Sequence, residues 1–258
     1  EAGRYVLIVG MSCPWAHRTL ATRVSKGLEG AIALQTVYPS TDEGMWLFDK
    51  PFQGCRTLPE FYRHSQTGYS GRSTVPVLWD SQTNTIVNNE SAEIIELLNS
   101  EFSELAKGPD LYPDALRDRI DELNQKIYTT VNNGVYRCGF AQTQAAYNQA
   151  VGELFSTLDA LDTILENQRY LCGEQLTLAD VRLFTTLIRF DVAYHGIFKC
   201  NRRRIVDYKN LGDYLADIYQ LPGIANTCDI DAVKRDYFGN LFPLNPGGIV
   251  PIGPEGLK

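Results

Sequence analysis

Three histidines and six scattered cysteines leave this sequence little with which to hold a metal. The cysteines stand at 13, 55, 138, 172, 200 and 228, and no two have zinc-knuckle or Cys-x-x-Cys spacing. His17, His64 and His195 are equally dispersed, so no metal is expected. A chain of 258 residues with so few cysteines needs no disulfide framework, which points to reduced thiols and a cytoplasmic setting. An excess of positive charge is also missing, since the formal net charge is −7 at pH 7. That argues against a general nucleic-acid or polyanion surface. The basic run Arg202-Arg203-Arg204 is short and reads as a solvated face or as partners for local carboxylates. No apolar run is long enough to span a bilayer, and no signal-peptide pattern is seen, so no membrane partner is expected. Internal repeats and low-complexity tracts are absent too. The chain opens with Glu1, directly before a strand pattern, as expected of a piece trimmed from something longer.

What is present centres on Ser12-Cys13-Pro14-Trp15-Ala16-His17-Arg18. The apolar run from Tyr5 to Val9 reads as a buried strand, Gly10-Met11-Ser12 as a turn, and the following residues as a helix. Pro14 suits the first helical position, where its missing N–H costs nothing. Cys13 then stands at the helix N-terminus, where unpaired N–H groups and the helix dipole favour an anion. A cysteine thiol has a pKa of about 8.5, and such a position can lower it to roughly 3.5–7.5. Cys13 is therefore the candidate thiolate nucleophile. Ala16 occupies the place of a second cysteine, so the loop cannot run its own dithiol cycle. A one-thiol cycle needs an external thiol, and glutathione is the obvious one.

The rest of the first hundred residues reads β-α-β-(α)-β-β-α. A second strand runs from Ala31 to Val37, a long polar loop with Trp46 from Tyr38 to Arg56, and a short helix from Thr57 to Ser65. Pro76 interrupts the apolar stretch Ser73–Asp80 and fits only an edge, a strand start or a tight turn. Thr85–Val87 completes a hairpin, and Asn88-Asn89-Glu90-Ser91 starts a helix with Ile94, Ile95, Leu97 and Leu98 on its apolar side. Beyond a linker the strand pattern disappears. Helical periodicity covers Leu116–Val131, Tyr147–Leu165, Leu211–Tyr219 and Asp229–Tyr237. Thr177 and Asp180 form a capping box at the head of another helix. The expected boundaries are an α/β domain over 1–100, a linker over 101–113, an all-helical domain over 114–238 and an extended Pro/Gly-rich tail over 239–258.

This order, with Cys-Pro at the first helix, Val75-Pro76, Glu90-Ser91 and the Thr177…Asp180 box, resembles the glutathione transferase fold. It implies a thioredoxin-like N-terminal domain followed by an all-α domain. Further motifs sharpen the likeness: Asn132-Asn133-Gly134-Val135-Tyr136, Asp180-Val181-Arg182-Leu183-Phe184, Arg189-Phe190-Asp191, Phe198-Lys199-Cys200-Asn201 and Asn245-Pro246. Together they resemble the Xi class, the glutathionyl-hydroquinone reductases, over nearly the whole chain.

The resemblance implies a set of roles. Cys13 would be the nucleophile. Trp46, Val75, Pro76, Glu90 and Ser91 would hold glutathione, with a cis Pro76 turning the Val75 backbone toward it. Tyr136 and Tyr237 would bind the hydroquinone, with Tyr128 a weaker third candidate. Glutathione and glutathionyl-hydroquinones would be the ligands, and a homodimer built on the helical domain the assembly. Two alternatives stay open: an omega-like cysteine transferase acting on dehydroascorbate or glutathionylated proteins, and a non-catalytic binding module on the same fold. The sequence departs from the class in lacking an N-terminal extension, in a shorter segment between Trp46 and Val75, and in Gly239-Asn240 where Ser-His is usual.

Overall fold

The computed structural model describes residues 1–40, 44–241 and 244–254. The chain divides into two units, one of Glu1–Pro109 with Asn226–Asp229, the other of Asp110–Ala225 with Ile230–Lys258. In the first, the strands are β1 (Tyr5–Gly10), β2 (Ile32–Pro39), β3 (Trp46–Phe52), β4 (Cys55–Thr57), β5 (Val77–Asp80) and β6 (Thr85–Asn88). The helices are α1 (Pro14–Ser25), α2 (Leu58–Ser65) and α3 (Ser91–Ser100). The sheet order is β4-β3-β2-β1-β5-β6, with β1 and β2 parallel and the other pairs antiparallel.

β1 is buried on both faces from Val6 to Gly10, which is why its sequence is an unbroken apolar run rather than an alternation. Leu7, Ile8 and Val9 are fully buried, each contributing about 1.5–3 kcal/mol relative to exposure. α1 and α3 pack together, while Phe61 of α2 stacks edge-on against Phe48 and Trp79. Arg4 donates to both oxygens of Asp80 and holds its carboxyl well below the usual carboxylate range. Asp80 Oδ1 also accepts the Gln82 N–H, closing the β5–β6 turn.

Part of the stretch read as a polar loop over Tyr38–Arg56 is instead the hairpin β3–β4; residues 41–43 of it lie outside the described residues. Leu47 and Phe48 turn into the core, and Gln53 and Gly54 both take positive φ (51° and 77°), the geometry of a tight two-residue hairpin turn. β5 begins only at Val77, directly after a cis Val75–Pro76 bond, because Pro76 has no N–H to give a ladder.

Among the described residues, the named elements of the second unit are all helical. Its α-helices are α4 (Arg117–Ile127), α5 (Gly134–Gly139), α6 (Gln144–Ile164), α7 (Leu178–Arg189), α8 (His195–Ile197), α9 (Leu211–Gln220) and α10 (Ile230–Asn240). Two π-helical turns, Tyr128–Asn132 and Phe190–Tyr194, follow α4 and α7. The first ends the helix that the 3.6 spacing extends to Val131. α10 runs on to Asn240, into the segment read as tail. Asn245 Nδ2 donates to the Phe238 and Ile249 carbonyls, and Lys234 Nζ to Ile252 O, so the chain after α10 folds back along it. The basic run does find carboxylates: Arg204 pairs with Asp207 at 2.8 Å and Arg203 with Asp159 at 3.6 Å.

The capping box of α7 is buried. Asp180 accepts from the Leu171 and Thr177 N–H groups (each 2.8 Å), the Thr177 hydroxyl (2.7 Å) and the Tyr214 hydroxyl (2.9 Å). Burial pushes its carboxyl up, and the four donors pull it back toward the charged form. Asp180→Ala strands these donors at roughly 1–3 kcal/mol each, so urea unfolding should show a loss above about 3 kcal/mol or no folded protein. Asp207→Ala, at an exposed pair, should leave the midpoint nearly unchanged. A mild Asp180→Ala would contradict a buried network.

Candidate active site

In the first unit, the turn after β1 delivers Cys13 to the N-cap of α1, with extended φ and ψ of −75° and 121° and with Pro14 in the first turn. The turn is closed by the Cys13 N–H donating to Gly10 O at 3.0 Å, and α1 by the His17 N–H donating to Cys13 O at 3.0 Å. No acidic residue stands in the first turn of α1 to compete for its N–H groups. Trp46, first residue of β3, pairs with Pro39 and lays its ring against Gly10. A Cβ at Gly10 would overlap that ring, so a glycine here lets the indole reach the turn that carries Cys13.

One helical turn past Cys13, the buried His17 meets the Thr227 hydroxyl at 2.7 Å and Cys228 Sγ at 3.7 Å through Nε2. This explains why Asn226–Asp229 belongs to the first unit.

At the other end of β5–β6, Glu90 is the N-cap of α3, and its Oε1 accepts from Ala92 N at 3.2 Å and, weakly, from the Ser91 hydroxyl at 3.4 Å. Glu90 is exposed and Ser91 buried. Asn88 Oδ1 accepts the Glu90 N–H at 2.7 Å and fixes this turn.

The second unit brings Tyr136 of α5 and Tyr237 of α10 together, with hydroxyl oxygens 2.6 Å apart. Tyr194, last residue of the second π turn, adds a third phenol 3.0 Å from that of Tyr237. Phe198 stacks on Tyr194 at 5.3 Å and 13° and also meets the Tyr136 ring. A Cβ at Gly139 would overlap the Phe198 ring, so α5 can approach only with glycine there. Asn132, in the first π turn, donates to Arg182 O (3.0 Å) and the Thr186 hydroxyl (2.7 Å), fixing the backbone that leads to Tyr136. Burial raises the Tyr237 phenol well above its ordinary value of about 10, reinforced by its two phenol neighbours and opposed by the Arg189 guanidinium. Tyr237 therefore stays protonated and can pass a hydrogen bond along the row. Tyr128 is half exposed.

Comparison with known proteins now bears on the chain as a whole. The glutathione S-transferase N-terminal domain model matches residues 12–101 and the C-terminal domain model residues 144–217. Glutathionyl-hydroquinone reductase YqjG of Escherichia coli (strain K12) is 51% identical, over 98% of this chain and 80% of the relative. Glutathionyl-hydroquinone reductase PcpF of Sphingobium chlorophenolicum is 45% identical, over 98% and 84%. The glutathione-bound structure of YqjG superposes with a TM-score of 0.93 over 98% of this chain and 86% of its own. The Xi-class transferase of Natrialba magadii, 46% identical, gives 0.94 over 99% and 81%. The chain belongs to the Xi class of the glutathione transferase family.

In this Xi-class transferase, the α/β unit carries Cys13, Trp46, Val75, Pro76, Glu90 and Ser91, and the helical unit carries Tyr136 and Tyr237. Sequence reasoning overlooked Tyr194, whose spacing from Phe190 and Phe198 reads as a core stripe, and Tyr62, which reads as a core aromatic. Among the described residues no His, Cys, Asp and Glu group could hold a metal ion, and no helix is long and apolar enough to cross a membrane.

All six cysteines are thiols; Cys55, Cys138 and Cys200 are buried, while Cys13, Cys172 and Cys228 are partly exposed. Burial pushes the Cys55 and Cys172 thiols up, whereas Cys13 is partly exposed at a helix start. Substoichiometric iodoacetamide on the native transferase should therefore label Cys13 first, as read by peptide mapping. First labelling at Cys172 or Cys228 would remove the argument for an activated Cys13.

Proposed function

We propose that this transferase is a glutathione-dependent reductase that strips glutathione from glutathionyl-hydroquinones through a mixed disulfide on Cys13. The Cys13 thiolate attacks the glutathione sulfur. The bond from sulfur to the ring carbon breaks, its electron pair and a proton go to that carbon, and the hydroquinone leaves. A sulfur–sulfur bond now joins Cys13 to glutathione. A second glutathione attacks this disulfide, releasing oxidised glutathione and restoring the thiolate. Two electrons pass from thiols to the ring, and the cycle balances with glutathione as its only reductant.

Glutathione is bound by segments of the α/β unit. The main chain of Val75, ahead of Pro76, pairs with its cysteinyl backbone. Glu90 meets its ammonium, while Ser91 and the α3 N–H groups meet its γ-glutamyl carboxylate. Trp46 flanks the peptide. Tyr136 and Tyr237 hydrogen-bond the hydroquinone oxygens, easing the shift of charge onto the ring as it departs. The enzyme works in the cytoplasm as a homodimer.

The observation that carries this reading is the hydroxyl-to-hydroxyl contact of Tyr136 and Tyr237, reinforced by Tyr194. A thiol transferase for small disulfides or dehydroascorbate has no use for a row of phenols. Two relatives of this class, YqjG and PcpF, are named for hydroquinone reduction, which supports the same assignment.

Tyr136→Phe and Tyr237→Phe each remove a hydrogen bond of order 1 kcal/mol or somewhat more, so hydroquinone release should slow several-fold to tenfold. Reduction of hydroxyethyl disulfide, which has no phenol, should change far less in the same proteins. Equal losses on both substrates would indicate damaged folding or glutathione binding. No loss on the quinone would leave a general cysteine-type transferase as the better reading.

A further inference from the structure

The short helix α2 carries a phenol that the chemistry above does not use. Tyr62 is 1% exposed, and its hydroxyl donates to Thr74 O at 2.7 Å while accepting from Asn89 Nδ2 at 3.1 Å. Thr74 immediately precedes Val75-Pro76, and Asn89 immediately precedes Glu90-Ser91. One oxygen atom thus ties together the two chain segments assigned to the middle and the γ-glutamyl end of glutathione. Burial raises the Tyr62 phenol, so its proton stays in place for Thr74. The ring is held in turn by Tyr69, tilted against it at 4.9 Å and 40°, whose own hydroxyl donates to Arg72 O at 2.7 Å. Tyr62, Tyr69, Asn88, Asn89, Glu90 and Glu93 line one open cleft, so the bridge stands beside the Glu90 carboxylate.

We infer that Tyr62 is a positioning residue for glutathione, setting the spacing between the Val75 backbone and the Glu90–Ser91 turn so that one tripeptide reaches both. Neither segment is held at this point by the β5–β6 ladder alone: Thr74 lies before β5 and Asn89 after β6. Their separation is set across the chain by a side chain from a third element. A ligand that spans both segments feels that separation, whereas one that uses neither does not. This inference rests on the proposed roles of Val75, Glu90 and Ser91.

The test compares two disulfides as they react with Cys13 in the intact protein. Oxidised glutathione offers a γ-glutamyl peptide to both segments, and hydroxyethyl disulfide offers nothing to either. In each case the Cys13 thiolate takes one half of the disulfide and releases the other as a thiolate. Tyr62→Phe keeps the ring and deletes the bridging hydroxyl. The ratio of the oxidised-glutathione rate to the hydroxyethyl-disulfide rate should fall about fivefold to tenfold. A structural role alone would lower the melting temperature or both rates together and leave the ratio where it was. That result overturns the inference.

Asn89→Ala, which cuts one arm of the bridge on the less buried side, should lower the ratio in the same direction. If Tyr62→Phe does not fold, Asn89→Ala decides, and an unchanged ratio there also overturns the inference. Glu90→Ala separates this inference from the reading beneath it. A fall in the ratio for Glu90→Ala with none for Tyr62→Phe rejects Tyr62 only. No fall for Glu90→Ala rejects the glutathione assignment of that turn. When both fall, Tyr62→Phe should matter less in the Glu90→Ala background, because the two act on one ligand end.

Discussion

A helix begins with N–H groups that no carbonyl of its own can reach, and the chemistry proposed for this protein is arranged around one such beginning. Cys13 stands at the N-cap of α1 with Pro14 behind it, and no carboxylate occupies that first turn. The apolar strand β1 fixes where the helix starts, because its residues are gripped between β2 and β5. Gly10 gives the turn its shape and leaves space for the Trp46 ring. One residue inserted into or deleted from this strand–turn–helix would take Cys13 away from the N-cap.

The helical unit solves a different problem. Phenols buried among aromatic rings lose water and must satisfy one another, and Tyr194, Tyr237 and Tyr136 do so in a row. Two π turns aim this row. One precedes α5 and is pinned to α7 by Asn132; the other ends in Tyr194 itself. π turns recur at functional sites because the extra residue redirects side chains that a regular helix would point elsewhere. The motif Asn132…Tyr136 thereby acquires a physical reason: an amide holds the irregular turn, and a tyrosine follows it.

Much of this was readable from residue patterns. Cys13 at a helix start follows from an apolar run, a short turn and Cys-Pro, and the α7 capping box follows from Thr177 and Asp180. The β3–β4 hairpin was hidden because in β3 only Leu47 and Phe48 are buried, while Lys50, Pro51 and Gln53 read as loop. π turns escape periodicity analysis, since one extra residue breaks the 3.6 spacing without leaving a residue type behind. Tyr194 and Tyr62 escaped for another reason. A buried tyrosine looks like core until its hydroxyl partner is seen, and those partners lie 43 residues away for Tyr194 and 12 and 27 residues away for Tyr62. Glu90 is the reverse case: its local capping role is visible in the structure, and its proposed ligand role comes from the family pattern.

In the proposed cycle, Cys13 itself takes the glutathione from the substrate before any second thiol is involved. The direct measurement is a single turnover with a glutathionyl-hydroquinone and no added glutathione. One equivalent of hydroquinone should appear in a burst, and intact mass should show one glutathione per chain, mapped to Cys13. Release that waits for free glutathione, or a burst without an adduct on Cys13, would contradict the mixed-disulfide account.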